Sequence, residues 1–342
     1  MTPLPDDTVC IATAGEALID LVRQPDGRYL PCPGGAVFNL SRALARQGTG
    51  VAYLNPLSAD RFGRQLADIL QADGARLAQP RPVHEPTSLA VIGVNAQGHP
   101  DFNFYRAGVA DRAVTAQGLC AATDARPDVE LVCTGCLALD PADAEIYLPW
   151  LQAQKALGRW VVVDANLRPS VMPDLGPYRA NVHRALALAD LIKASDEDLE
   201  VLQVPGADAL DRAHRLLERV PARTLALTLG AQGAVLLHKT AQGIVSVRGR
   251  ASGPVQVVDT VGAGDCFLAG LLAQLIRLTQ DEGCSPAALA QALDLQKLGQ
   301  LLAHALTTAT LNVMRAGCQP PTRQEVLDRL AAHPAQLLSD TL

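Results

Sequence analysis

The sequence predicts an α/β fold in which helices cover both faces of a mostly parallel sheet. Short, continuously apolar runs bounded by turn residues are typical of buried parallel strands. Amphipathic stretches lie between these runs, and this alternating order favours a doubly wound sheet. The chain has 342 residues, 49% of them hydrophobic, which is enough to bury a large core.

The pattern assigns each element in turn. The predicted strands are 9–14, 129–134, 160–165, 191–194 and 224–229. The predicted helices are 39–48, 63–73, 141–157 and 207–219. From residue 262 onward the chain is mostly helical, with Gly317, Pro320 and Pro321 as stop signals.

One segment, 88–108, breaks this rhythm. It consists of two extended runs joined by the polar turn "NAQGHP". The alternation of apolar and polar residues predicts a β-hairpin with one face covered. Such a hairpin would form a flap over a site.

Composition excludes several classes of function. The net charge is −6, no basic stripe is present, and only 5 Tyr, 5 Phe and 2 Trp could stack on bases, so nucleic acid is not an expected partner. The N-terminal residues are acidic where a signal peptide is basic, and no apolar run is long enough for a transmembrane helix. We therefore expect a cytoplasmic protein.

The chain has 8 cysteines, and Cys133 and Cys136 have CxxC spacing. This pair suggests a redox dithiol or half of a zinc site, but no second CxxC accompanies it. The scatter of the cysteines along the chain and the lack of a second pair favour reduced thiols in the core. A thiol oxidoreductase stays an alternative that requires both thiols to be accessible.

The segment "DTVGAGDCF", 259–267, is the strongest candidate for a site. Its small residues let the backbone turn tightly before a long apolar helix, whose free N–H groups would bind an anion. An alternative is that Asp265 merely caps that helix. A second glycine turn, Gly34-Gly35, precedes Asn39 and could face the same cleft, although glycine pairs often only make turns.

These two segments resemble the signatures of the ribokinase-like, or PfkB, family of sugar kinases. "DTVGAGDCFLAGLL" is similar to the C-terminal signature, and "GGAVFNLSRALARQG" to the N-terminal one except at Val37, where small residues or proline are usual. The resemblance covers nearly the whole chain. It implies a single domain over 1–342, folded as a three-layer sandwich with a small β-sheet lid from about 15–35 and 86–110.

The resemblance also implies how phosphate is transferred from ATP with Mg²⁺. Asp265 would be the catalytic base, and the backbone N–H groups of the preceding turn would hold the transferred phosphoryl group; this turn consists of Gly262, Ala263 and Gly264. Asp259 and the Val261 carbonyl resemble the family's monovalent-cation loop, which implies activation by K⁺.

The implied sugar and nucleotide sites come from several segments. The sugar side would be formed by Asp20, Gly34, Gly35, Asn39, Tyr105, Arg106 and Arg168. The nucleotide side would be formed by Asn166, Ser195, Thr228, Gly230, Gly233 and His304. The alternatives are a solvated carboxylate at Asp20, a solvated flap charge at Arg106 and simple packing at His304.

Ser195 and Asp198 stand where the family has the longer pair of an asparagine and a glutamate that positions magnesium-bound water. Asp198 would take the magnesium role through water. The departure favours an alternative of another class, a nucleotide-binding regulatory protein without kinase activity. The intact aspartate of the GAGD turn counts against that alternative.

Within the family, the segments "GEALIDL", "PCPGGAVFN" and "FYRAGVAD" look most like those of bacterial fructokinases. This resemblance implies D-fructose as substrate and fructose 6-phosphate as product. The alternative is a 2-keto-3-deoxygluconate kinase or another sugar kinase of the family. Related lids pack against each other, so a homodimer through the lid is also expected.

Overall fold

The computed structural model describes residues 9–94 and 100–341. The strands are β1 (Ile11–Thr13), β2 (Leu18–Arg23), β3 (Tyr29–Gly34), β4 (Val51–Tyr53), β5 (Arg76–Leu77), β6 (Ser88–Val94), β7 (Pro100–Tyr105), β8 (Leu131–Gly135), β9 (Trp160–Asp164), β10 (Leu191–Ser195), β11 (Thr224–Thr228), β12 (Ala234–Thr240), β13 (Gly243–Arg250) and β14 (Gln336–Thr341). The helices are α1 (Ala36–Arg46), α2 (Arg61–Ala72), α3 (Ala116–Asp124), α4 (Ala144–Ala156), α5 (Leu175–Leu186), α6 (Asp196–Val201), α7 (Ala209–Arg219), α8 (Ala263–Glu282), α9 (Pro286–Gln291), α10 (Leu295–Val313) and α11 (Arg323–Ala332).

The described strands form a large and a small sheet. The large sheet has the order β14-β13-β12-β11-β10-β9-β8-β1-β4-β5. Its strands are parallel from β5 to β11, and β12, β13 and β14 then add as antiparallel strands. This arrangement leaves one edge where the carboxyl ends of the parallel strands meet.

Successive residues of a central strand point to opposite faces of the large sheet. In β9, Val161 and Val163 belong to one buried cluster and Val162 belongs to the other. Helices α4, α5 and α7 contribute to the first cluster, and α1, α2, α8 and α10 to the second. The predicted three-layer α/β sandwich is therefore confirmed.

The small sheet has the order β3-β2-β6-β7. Strands β6 and β7 pair antiparallel, as predicted for the hairpin within 88–108, and residues 95–99 of its turn lie outside the described residues. The small sheet is built from 18–34 and 88–105. Its action as a lid stays a prediction.

The predicted strands and helices are present, and their bounds differ by at most three residues. Helix α4 begins at Ala144 rather than 141 because 141–143 form a 3₁₀ turn. The predicted strands did not include β4 and β5 at one side of the large sheet, nor the antiparallel strands β12, β13 and β14 at the other. No helix of the described residues is long and apolar enough to cross a membrane.

Candidate active site

The candidate site lies at the carboxyl edge of the large sheet. Asp164, Ser195 and Thr228 are the last residues of three neighbouring parallel strands, β9, β10 and β11. Ligands of open α/β sheets bind in the crevice outside this edge. The predicted site residues Ser195 and Thr228 therefore lie on one side of the molecule.

Helix α8 begins beside this edge with a glycine in the left-handed conformation. Gly262 is the N-cap residue with φ 73°, and a Cβ there would lie 2.3 Å from the sulfur of Cys318. Ala263 donates its N–H to the carbonyl of Thr260, whereas the N–H groups of the next residues in the first turn have no acceptor within the helix. Asp265 lies in this first turn and is not the capping residue.

Asp265 is the point where the two glycine turns meet. Its side chain is buried, and Asn39 Nδ2 donates to its Oδ2 at 2.9 Å. Asn166 Nδ2 lies 3.5 Å from the other oxygen, Oδ1. Burial raises the pKa of Asp265, while the hydrogen bond from Asn39 and the charges of Lys193 and Arg168 oppose that rise.

The loop after β9 carries Asn166 and Arg168. Asn166 has φ 38°, a left-handed conformation that asparagine tolerates better than most residues. Arg168 is exposed, and its guanidinium donates to the carbonyl oxygens of Asn166 and Leu167 at 3.3 and 3.0 Å. Both predicted residues therefore reach the same edge of the sheet as Asp265.

A buried lysine also belongs to the site, and the sequence reasoning did not identify it. Lys193 lies in β10, and its ammonium is 2.9 Å from a carboxylate oxygen of Asp164. Burial raises the pKa of Asp164 to about 7, although Lys193 lowers it. The sequence contained one signal that could have identified Lys193, because it is a charged residue inside the otherwise apolar run 191–194.

Ser195 and Asp198 form a capping box at the start of α6. The Ser195 hydroxyl accepts from the N–H of Asp198, and Asp198 Oδ2 accepts from the N–H of Ser195 at 2.7 Å. Asp198 Oδ1 accepts from the N–H of Leu167 at 2.7 Å. The carboxylate thus ties α6 to the loop after β9, and its predicted role toward magnesium stays a prediction.

The predicted cation loop joins two segments of chain. Asp259 accepts from the N–H of Val261 at 3.0 Å and from the N–H of Gly317 at 2.8 Å. The Val261 carbonyl accepts from Asn312 Nδ2 at 2.8 Å. The loop is therefore held against the C-terminal end of α10.

On the sugar side, Glu16 holds the start of α1. Its Oε1 accepts from the N–H of Ala36 at 2.8 Å, and a Cβ at Gly35, where φ is 107°, would lie 2.7 Å from the Glu16 carbonyl. Asp20 in β2 is half-buried, and burial raises its pKa to about 6, opposed by Arg168. A Cβ at Gly34 would lie 2.4 Å from Asp20 Oδ2, so the glycine leaves room for this carboxylate.

The two predicted flap residues have different surroundings. The Tyr105 side chain is 62% exposed. Arg106 is buried, and its guanidinium lies 3.3 Å from Asp140 and 3.7 Å from Asp143. Its Nε has no hydrogen-bond acceptor among the described residues. Arg106 is therefore not the solvated charge of the alternative interpretation.

The predicted nucleotide residues divide into a turn and a packed histidine. Thr228 ends β11, and Gly230 and Gly233 form the turn to β12, closed by a 2.9 Å hydrogen bond from the Leu229 N–H to the Gly233 carbonyl. His304 is buried in α10, and its Nε2 lies 2.8 Å from Gln47 Oε1. Burial lowers the pKa of His304 to about 4. Its contact with adenine stays a prediction.

With this geometry in view, comparison with known proteins identifies the family. A model of the pfkB family of carbohydrate kinases matches residues 11–325. The chain belongs to this family. It is an ATP-dependent carbohydrate kinase.

Individual relatives have more specific names. A fructokinase of Rhizobium leguminosarum bv. trifolii is 32% identical over 269 residues, covering 78% of this chain and 79% of the relative. The crystal structure of a fructokinase with bound ATP from Xylella fastidiosa matches with a TM-score of 0.79 and 28% identity over 95% of this chain and 98% of the other. That of aminoimidazole riboside kinase from Salmonella enterica, complexed with aminoimidazole riboside and an ATP analog, matches with a TM-score of 0.73 and 27% identity over 94% and 99%.

The CxxC pair of this PfkB chain is part of the core. Cys133 and Cys136 are both buried and free, and burial raises their pKa values well above the ordinary value. A thiol oxidoreductase requires accessible thiols of low pKa. The structure thus offers no support for that alternative.

Proposed function

We propose that this kinase transfers the γ-phosphoryl group of ATP to D-fructose, giving D-fructose 6-phosphate and ADP. The observation that carries the proposal is the buried Asp265 carboxylate in the first turn of α8, held by Asn39 from the other glycine turn. The names of the relatives support the choice of fructose. The proposal includes Asp20 as an acceptor of hydrogen bonds from sugar hydroxyls.

In the proposed reaction, Asp265 takes the proton of the sugar hydroxyl as its oxygen bonds to the γ-phosphorus. The bond from that phosphorus to the oxygen it shares with the β-phosphate breaks, and the electron pair leaves with ADP. The free N–H groups at the start of α8 stabilise the charge on the transferred group. Phosphoryl transfer depends mainly on such alignment and electrostatic stabilisation.

The residues fit a magnesium ion held mainly through the nucleotide. The described residues contain no group of three or more His, Cys, Asp or Glu that could hold a metal ion. Mg²⁺ in kinases usually binds one or two carboxylates together with substrate phosphates, which it neutralises. Asp198 would therefore act through water, and Asp259 with the Val261 carbonyl would hold K⁺.

The charges around Arg106 favour a neutral sugar over a sugar acid. A substrate carboxylate needs a cation that is not already paired, and Arg106 is paired with Asp140 and Asp143. This observation supports fructose over 2-keto-3-deoxygluconate. Arg168 is exposed and would approach either substrate.

A coupled assay of ADP release with D-fructose, 2-keto-3-deoxygluconate and aminoimidazole riboside tests the proposal. We expect the highest kcat/KM with fructose. A preference for either other compound would replace fructose as the substrate. Absence of turnover with every sugar, together with ATP binding, would instead favour the regulatory protein.

The proposal extends to a homodimer through the small sheet. Tyr29 and Leu30 of β3 expose 47% and 53% of their surface, and Tyr105 of β7 is more exposed still. In the register of the small sheet, Tyr29 and Tyr105 lie on one face and Leu30 lies on the other. Exposed apolar side chains on a small sheet are typical of an interaction surface. A second copy of the chain is the proposed partner.

A further inference from the structure

Lys193 is a buried cation in strand β10 of the large sheet. It lies opposite Asp164 in the register of β10 and β9, and its side chain is 4% exposed. Its ammonium lies 2.9 and 3.3 Å from the two carboxylate oxygens of Asp164. Replacing a buried ion pair with apolar residues often leaves stability unchanged or raises it, so stability alone does not account for this pair.

The ammonium also lies directly below the start of α8. A Cβ added to Gly264 would be 3.0 Å from Lys193 Nζ. Gly264 does not have a positive φ, so the backbone conformation does not require glycine there. The absence of a side chain instead leaves room for the Lys193 ammonium. The positive charge thus lies beside the turn that contains Asp265.

Other charged and titratable groups also face Asp265. Arg168 and Asp164 approach from β9 and the loop after it, Cys136 from the end of β8, and Cys266 from α8 itself. Arg168 keeps part of its surface in water, whereas the Lys193 side chain is buried and acts through a medium of lower dielectric constant.

We propose that Lys193 is a positioning residue that keeps the Asp265 carboxylate ionised and places positive charge beneath the N–H groups that receive the phosphoryl group. The inference rests on the proposed function, in which Asp265 is the base. Burial of Asp265 opposes its ionisation, and the buried ammonium offsets this effect. In this interpretation, Asp164 holds the ammonium in place.

The test compares Lys193→Met, Asp164→Asn and the double variant, with kcat for fructose measured against pH. We expect Lys193→Met to lower kcat at least tenfold and to raise the pH of its acid limb by roughly one unit. The double variant removes both charges of the pair, so folding leaves no unpaired ion buried at this place. We expect it to keep the raised acid limb, and Lys193→Arg to restore part of kcat.

A double variant with the acid limb and kcat of the wild type would overturn the proposal, because Lys193 would then only neutralise Asp164. A second measurement needs no turnover. The difference in unfolding free energy between a chain and its Asp265→Asn variant, followed against pH, reports the titration of Asp265. We expect the pH at which this difference changes to be higher in the double variant than in the wild type. An unmoved difference contradicts the role of Lys193, whereas failure of the wild type on every sugar contradicts only the proposed function.

Discussion

Burial raises the pKa of several carboxyl groups around the site. The pKa of Asp20 is raised to about 6, and those of Glu16 and Asp164 to about 7. A carboxyl group in this range changes its charge near neutral pH. Both turnover and stability are therefore expected to depend on pH in the range where a cell operates.

At Asp265, the change Asp265→Asn tests the proposed base. The amide cannot take the proton of the sugar hydroxyl, so we expect kcat to fall about 10²- to 10⁴-fold while ATP binding changes little. Steady-state kinetics and calorimetric titration with ATP measure the two effects. Retention of full kcat would contradict the role of Asp265.

At Glu16, the change Glu16→Gln tests the cost of a buried carboxylate. The pKa of Glu16 is raised from 4.5 to about 7, so between these values the folded chain binds a proton that the unfolded chain has lost. The free energy of unfolding therefore falls as pH rises through this window, and the amide removes that fall. We therefore compare the free energy of unfolding of Glu16→Gln with that of the wild type at two pH values. We expect the difference to favour the variant by up to about 3 kcal/mol more at pH 8 than at pH 4.

Urea unfolding at both pH values measures this difference. Glu85 is exposed, so Glu85→Gln is the matched control for exchanging a carboxylate for an amide. An equally steep pH dependence in Glu16→Gln and the wild type would show that Glu16 does not titrate in this window.

At the scale of elements, the small sheet and α1 depend on close backbone contacts. The N-cap residue of α1, Gly35, has no side chain that could cap the helix. Glu16, which precedes β2 in the chain, accepts a hydrogen bond from the N–H of Ala36 instead. The sequence predicted α1 and the glycine turn because their signals are local. It did not predict Glu16 as the cap, because that contact depends on how β2 and β3 pair.

The change Gly34→Ala tests the sugar side of this sheet. Its Cβ would displace the Asp20 carboxylate, and a hydrogen bond to a charged group contributes enough free energy for us to expect KM for fructose to rise about tenfold or more. The kcat should change less. Gly93→Ala, in β6 of the same sheet, is the control because no atom of the part of the chain that the structure describes lies within 4 Å of its Cβ. Equal KM values for the two variants would contradict the role of Asp20.

For the whole molecule, the sequence predicted the layers and many residues of the candidate site. The signals at 259–267 and 34–48 are local, and the rule that ligands bind at the carboxyl ends of strands brings them together. The pairing of Lys193 with Asp164 was not predictable, because it requires the neighbouring positions and the register of β9 and β10. The same limit applies to the partners of Arg106.

The proposed assembly is tested by Leu30→Glu. A charge at this exposed position of the small sheet should be costly inside an interface, so we expect a dimeric wild type and a monomeric variant in sedimentation. Leu157→Glu, at an exposed leucine outside that sheet, should remain dimeric. A monomeric wild type would remove the proposal.

The strand order of the large sheet has a consequence for synthesis on the ribosome. From β9 to β14 each strand pairs with the strand that precedes it in the chain, so the sheet can grow at one edge as the chain emerges. Helix α8 follows β13, and by then β9 and β10 with Asp164 and Lys193 have already been made. The helix that carries Asp265 therefore emerges only after both members of the Lys193–Asp164 pair are in place along the chain.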